Sequence, residues 1–403
     1  MSTGASDEIE LEDGRRIRGF AVQGYGSVMD TFVAGFVERG DVGAACSVYV
    51  DGRQVVDVWG GVADRRTGKE WRHDTAAVIF SCSKGVLAIC AYRLVEEGRL
   101  DLDTPIARYW PEFGENGKSG ITVRDALTHR AGLPALDIDL TKDDVLAWDR
   151  VIGAIESAPP IYSPTDGHFY HAMTYGWLVG EVVRRISGET PGRYFRRSLA
   201  EPLGLDTWIG LPRDEHDRVA WMEAPLPDED SAAARESARI ATANPLIDRS
   251  LTMCGAYAFP AEDDYVTFND AALQACEIPG ANGISTARSL ARLYAACVAE
   301  VDGLRILSTH SVEDACRERS AGRQLSGLPD DGSRWGTGFQ LASPPTQPML
   351  GAGSFGHAGA GGQLAFGDID HRIGFAYLSN QMGGYGDARA RELSIAVQAA
   401  LGA

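Results

Sequence analysis

The sequence predicts an α+β fold: an antiparallel sheet flanked by helices, built from both chain ends, with a largely helical region inserted between them. Three observations predict it. Two β-rich runs near the N-terminus are separated by a tight-turn dipeptide, a second pair of runs near the C-terminus mirrors them, and the long apolar patterns between carry helical spacing. A length of 403 residues fits two to three domains, or one large domain with an insertion. The change of pattern along the chain places the sheet part at 15–80 with 282–403 and the mainly helical part at 81–281.

Taken in order, residues 27–38 set Val28, Phe32, Val33 and Phe36 at helical spacing. Runs 45–50 and 54–59 follow, joined by Asp51-Gly52-Arg53. Asp-Gly between β-branched runs signals a hairpin, because Gly accepts the positive φ of a tight turn. An apolar, strand-like approach at 77–80 leads into a helix at 81–97, and helix patterns recur at 123–128, 144–155, 174–186 and 285–298. The poorly patterned acidic stretch 225–236 reads as an exposed loop or lid segment. Runs 363–367 and 372–378 make the second hairpin, followed by a helical run over 388–401. Strands near both termini, each flanked by a helix, predict that the ends meet in one antiparallel sheet. No internal repeat or low-complexity tract of useful length interrupts this order.

Composition narrows the function classes. A formal charge of −18 repels polyanions, so neither nucleic acid nor an anionic membrane surface is an expected partner. No run approaches the length of a membrane-spanning helix, and the acidic, polar start Met1-Ser2-Thr3-Gly4 lacks the basic and apolar regions of an export signal, so the expected compartment is the cytoplasm. Seven scattered cysteines without a C-x-x-C pair fit reduced, mostly buried thiols.

The basic residues divide sharply: 34 are Arg and four are Lys, namely Lys69, Lys84, Lys118 and Lys142. Lys84 alone has a serine three residues before it, in Phe80-Ser81-Cys82-Ser83-Lys84-Gly85. At a helix start, residues i and i+3 share a face, so the Lys84 amine is within reach of the Ser81 hydroxyl. Arg cannot serve such a pair, because a guanidinium stays protonated whereas a buried amine can lose its proton. For the other three lysines, compositional bias is the better account. A Ser-x-x-Lys tetrad alone often marks only a solvated helix start. Here the apolar approach before it and the buried run Val86-Leu87-Ala88-Ile89 after it favour a nucleophile site.

The surrounding segments extend the argument. Trp59-Gly60-Gly61-Val62-Ala63-Asp64, the Ser81–Lys84 tetrad, the stretch from Thr122 through Thr128-His129-Arg130 to Leu133, Tyr170-His171-Ala172, Glu201-Pro202-Leu203-Gly204-Leu205, Trp335-Gly336-Thr337-Gly338-Phe339 and Phe355-Gly356-His357-Ala358-Gly359 occur in one order. That series resembles the serine β-lactamase and penicillin-binding-protein superfamily, with the class C-like family VIII carboxylesterases as the nearest branch. The resemblance implies a β-lactamase-like fold with the active site at the interface of its two parts. It also implies an acyl-enzyme on Ser81, with Lys84 and Tyr170 as proton-transfer groups and either one as principal base. It implies an oxyanion hole made by the backbone N–H groups of Ser81 and Ala360. Substrate would lie against Ala172, His357, Ala358 and Gly359, the last three on a sheet-edge strand. Ala172 stands where many β-lactamases carry Asn and His357 where they carry Lys, which removes groups suited to an anionic β-lactam.

The resemblance therefore implies a carboxylesterase acting on a small ester, with no cofactor and no metal. The alternatives are an amidase acting on a small amide, such as a β-lactamase or D-aminopeptidase, an acyltransferase on the same fold, and a non-catalytic binding protein. Among single residues, Cys82 reads as a small buried hydrophobe rather than a nucleophile, and His357 either lines the site or packs at a strand end. His168 and His171 beside Asp166 lack any supporting zinc-ligand pattern and read as loop or pocket-wall residues. Gly351-Ala352-Gly353-Ser354-Phe355-Gly356 has the glycine spacing of a dinucleotide fingerprint, but the expected element after it is a strand and not a helix. Gly117-Lys118-Ser119 lacks the spacing of a phosphate loop, and no G-x-S-x-G occurs.

Overall fold

Asp51 and Gly52 adopt φ values of 49° and 75°, the pair of left-handed conformations that a two-residue hairpin requires. They join strand Gly43–Val50 to strand Arg53–Asp64. The computed structural model describes residues 7–225, 239, 242–259, 261–262, 265–344, 347, 349–384 and 387–402. Within these, Gly43–Val50 pairs antiparallel with Ile373–Ser379 over seven residue pairs, from Val50 opposite Ile373 to Ala44 opposite Ser379. The two chain ends thus meet at the centre of one antiparallel sheet of eleven strands, as the patterning predicts.

Side-chain alternation splits the packing on either side of that sheet. Along Ile373–Ser379, Phe375 and Tyr377 join a cluster with Val28, Phe32, Leu393 and Val397 from helices Gly26–Glu38 and Arg389–Leu401. Ala376 and Leu378 face the other way, into the larger core shared with helix Ala287–Val298 and the inserted helices. Small residues on that side let the helix approach closely; a Cβ at Gly374 would lie 2.1 Å from the Ala291 carbonyl oxygen. The larger core surrounds helix Cys82–Glu96, of which Cys82 through Tyr92 is wholly buried.

Several elements depart from the sequence reading. The helix expected over 144–155 is two helices, Lys142–Leu146 and Trp148–Ser157, broken at Ala147, whose φ and ψ of −101° and 93° are extended. The break serves Trp148, whose indole N–H reaches the buried Glu181 carboxylate at 2.8 Å. A strand at Asp7–Glu10 pairs with Arg16–Ala21 ahead of the expected start at 15. Three short strands, Ser320–Ala321, Arg334–Trp335 and Gln340–Leu341, continue the sheet beyond Ser354–Ala358, which is therefore not the edge strand expected. They pair only with Phe355 and Gly356 of it, and beyond that pairing the Ala358 N–H is met by the Gln340 side chain at 3.1 Å. The lid expected at 225–236 lies, from 226 onward, outside the described residues. Among the described residues, no helix is long and apolar enough to cross a membrane.

One ion cluster ties the C-terminal helix to the sheet. Arg389, 3% exposed, donates to Asp41 at 2.8 Å, to Asp387, to the Ser379 hydroxyl at 3.1 Å and to the carbonyls of Gly361 and Gln381 at 3.0 and 2.9 Å. Removing one partner of a buried pair strands the other charge in the protein interior. Arg389→Met is expected to cost about 3–5 kcal/mol, read as a lower urea midpoint at unchanged slope.

Candidate active site

Ser81 caps helix Cys82–Glu96 from a backbone corner. Phe80, just before it, sits at φ 44°, a left-handed conformation that a bulky side chain adopts only when its surroundings enforce it. Here the Phe80 carbonyl accepts from the Ser83 N–H and hydroxyl at 2.9 and 2.5 Å. Its ring is buried against Phe259 and Phe268, with centroids 6.3 and 5.8 Å away. The corner turns the Ser81 hydroxyl away from the core while the helix behind it stays buried.

Lys84, one turn on, is fully buried. Its Nζ lies 3.1 Å from Ser81 Oγ, 2.7 Å from the Ala172 carbonyl oxygen and 2.7 Å from the Gly280 carbonyl oxygen. No carboxylate contacts it among these partners, and burial lowers its pKa from the ordinary lysine value to about 7. The two carbonyls can only accept, so in the neutral amine both N–H bonds point to them and the lone pair is left facing Ser81. Tyr170 completes the triangle by donating its hydroxyl to Ser81 Oγ at 2.8 Å. Burial raises the Tyr170 pKa, so the phenol remains a proton donor near neutral pH.

The remaining predicted residues line the same cavity of about 310 Å³: Ala172, His357, Ala358, Gly359 and Ala360. Gly359 is tightly placed, since a Cβ there would stand 2.5 Å from the Ile79 carbonyl oxygen; this close approach brings the strand end beside the Ser81 corner. Residues 359–362 form a turn closed by Gly362 N–H to the Gly359 carbonyl at 3.3 Å. Among the described residues, no backbone carbonyl accepts from the N–H of Ser81 or of Ala360, whereas Cys82 and Gly359 donate to Ile79 and Gln363. His357 is 3% exposed, and burial, followed by the Lys84 charge, lowers its pKa to about 3. Its Nδ1 is bonded to the Ala358 carbonyl oxygen at 2.6 Å, which puts the proton of the neutral ring on Nδ1.

Cys82 is buried, its thiol donates to the His357 carbonyl at 3.0 Å, and burial raises its pKa. A thiolate nucleophile has no support there. His171 uses both ring nitrogens on the backbone, Nε2 with the Leu133 N–H at 3.1 Å and Nδ1 with the Phe169 carbonyl at 2.7 Å. That leaves neither free to bind a metal, and among the described residues no cluster of three or more His, Cys, Asp or Glu could hold one.

Several neighbours of the site carry no assigned role in the sequence reading. His129, at φ 63°, packs its ring 4.8 Å from Tyr170 and accepts the His171 N–H on Nδ1 at 3.2 Å. Trp335 stacks on Tyr170 at 5.2 Å and 26°. Both lie in segments that carry the family resemblance, which was the available signal. Gln324, whose side-chain oxygen accepts the Tyr170 N–H at 3.0 Å, lies in no such segment.

The Beta-lactamase family matches residues 29–400. The chain is 37% identical over 380 residues to "Esterase/beta-lactamase LipL" of Mycobacterium tuberculosis (strain ATCC 25618 / H37Rv), covering 92% of this chain and 84% of that protein. A crystal structure of a family VIII carboxylesterase superposes with a TM-score of 0.83 at 31% identity, over 95% of this chain and 99% of that one. A penicillin-binding protein homologue from Caulobacter crescentus superposes with a TM-score of 0.82 at 34% identity, with the same coverage.

The Lys84 environment makes a direct prediction. Its amine is expected to titrate near pH 7, followed by the lysine Cε chemical shift with Lys84→Met as the assignment control. A midpoint in the ordinary lysine range refutes it. Because the unfolded amine titrates near 10.5, the unfolded state binds more protons between pH 7 and 10.5, so the Lys84 contribution to stability rises with pH across that window.

Proposed function

The chain belongs to the Beta-lactamase family, and on that premise we propose that it is a serine hydrolase cleaving small carboxylic esters through an acyl-enzyme on Ser81. The observation that carries this reading is the Lys84 amine, held by two carbonyls with its third direction on Ser81 Oγ. Neutral Lys84 takes the Ser81 proton as Oγ attacks the ester carbonyl. The oxyanion that forms is met by the N–H groups of Ser81 and Ala360, with the positive end of the helix behind Ser81 favouring negative charge there.

Collapse of this tetrahedral species breaks the bond to the alcohol oxygen, and the Tyr170 hydroxyl supplies the proton with which the alcohol departs. Lys84, now an ammonium 4.9 Å from the Tyr170 ring centroid, passes its proton directly to the Tyr170 phenolate, because Ser81 Oγ is acylated and carries no proton. Water then attacks the acyl-enzyme by the same route and releases the carboxylic acid. The opposite pKa directions of the two groups support these roles: burial leaves the lysine able to accept a proton near neutrality and the tyrosine able to donate one.

The cavity lining favours esters over anionic β-lactams. Among the described residues, the cavity lining includes Asp331 and no Lys or Arg. His357 is a neutral ring where a carboxylate would need a cation. LipL bears both activities in its name, so nitrocefin belongs in the assay panel. Ester turnover exceeding nitrocefin turnover supports the ester reading, and the reverse order supports a β-lactamase.

Ser81→Ala is expected to abolish hydrolysis of p-nitrophenyl butyrate; equal rates in the two proteins would remove Ser81 from the mechanism. Lys84→Arg keeps a cation but cannot yield a neutral base, so a loss of about 10²–10⁴ in kcat is expected. For the wild type, kcat/KM should rise with pH through about 7 as Lys84 deprotonates, and fall away below it. A profile flat across that range contradicts the base assignment.

A further inference from the structure

The cavity beside Ser81 is lined by two unlike sets of side chains, here called its walls, and they come from different parts of the chain. Phe80, Met173, Leu251 and Phe259 form the apolar set, with Phe80 and Phe259 in ring contact, while Gln324, Ser333 and Gln340 form the polar set, from the segment whose Trp335 also lines the cavity. Tyr170 stands at the boundary: its backbone N–H donates to Gln324 Oε1 at 3.0 Å and its ring stacks on Trp335, while its carbonyl accepts from the hydroxyl of Ser250, next to Leu251, at 3.3 Å.

We propose that the substrates are esters joining an apolar acyl group to a polar, hydroxyl-bearing alcohol, the acyl chain lying along the Phe80–Phe259 wall and the alcohol along the Gln324–Gln340 wall. This rests on the ester-hydrolase reading above, because it uses Tyr170 as the proton donor to the departing alcohol. That donor is bonded to and stacked on the 324–340 segment, so the departing alcohol is set against the polar wall. The acyl group, attached to Ser81, is left with the wall that begins at Phe80, next in the chain.

The hydrogen-bonding state of the polar wall selects hydroxyls in particular. Gln340 Oε1 accepts the Ala358 N–H at 3.1 Å, and Gln324 Oε1 is held by Tyr170, so each amide has its oxygen committed and its NH₂ end left as a donor. Among the described residues, no protein acceptor meets those NH₂ groups, and Ser333 bonds through its backbone N–H and not its hydroxyl. A hydroxyl accepts from an amide and donates to a serine oxygen in the same lining. An alkyl alcohol would displace water from these groups without replacing its hydrogen bonds. On the opposite wall, each buried methylene of the acyl chain is worth about a fourfold gain.

Glycerol monobutyrate and butyl glycerate are isomers that exchange these halves across the ester bond, which makes them a direct test. Rates are followed by acid release and divided by each ester's hydroxide-catalysed rate. Glycerol monobutyrate is expected to show a kcat/KM at least about tenfold higher, the size of one or two neutral hydrogen bonds gained. Ser333→Leu and Phe259→Ser, on opposite walls, should each narrow that ratio several-fold. Equal rates, a preference for butyl glycerate, or hydrolysis of neither isomer by a protein that turns over p-nitrophenyl butyrate through Ser81 would overturn the proposal. Retention of p-nitrophenyl butyrase activity in Ser81→Ala would instead overturn the ester-hydrolase reading itself, so the two failures are distinguishable.

Discussion

The arrangement around Ser81 depends on one buried amine. Lys84 lies in the core with two backbone carbonyls and one serine oxygen as its polar neighbours. Those three acceptors come from three distant places in the chain: the start of a helix, the segment following Tyr170, and Gly280 before strand Ile284–Ser285. An ammonium in an apolar interior must be hydrogen-bonded or neutral, and this shell permits both. That duality is what a proton-accepting lysine requires, and it holds only while the helical insertion and the sheet keep all three acceptors in place.

The groups around that amine extend the same logic. Burial lowers the pKa of His129, His171 and His357 and raises that of Tyr170, so the uncharged forms are favoured around neutrality. The rings also wedge Tyr170 in position, with His129 and Trp335 packed against it. Opposite, the turn bearing Ala360 is held from behind by Arg389 and the Gly383 N–H, both on the Gly361 carbonyl at 3.0 Å. Ser81, Tyr170 and the turn bearing Ala360 are thus each fixed by a separate part of the fold and meet at one cavity.

Much of this was legible in the sequence wherever the signal was local. Asp51-Gly52 announced its hairpin because φ preference is a property of adjacent residues, and Ser81 with Lys84 announced a site because a helix places i and i+3 together. The helix break at Ala147 was not legible, since it follows from Trp148 reaching Glu181, a contact between two helices. Gln324 and Gln340 were missed for a related reason. A glutamine carries no marker of its place until its oxygen is seen tied to a backbone N–H beside Ser81. Arg389 looked like any of 34 arginines, and its burial beside Asp41 depends on the C-terminal helix docking against strands from both ends.

By itself, then, the sequence determined which residue types were present in which local geometry: the turns, the alternating strands, the amphipathic helices, and one lysine with a serine three residues before it. Only the tertiary structure decided the electrostatic state of those residues. The depressed pKa of Lys84, the raised pKa of Tyr170 and the unlike walls of the cavity all arise from desolvation and from contacts across long stretches of chain. Desolvation depends on what surrounds a group in space, and its neighbours in sequence supply only a small part of that surrounding.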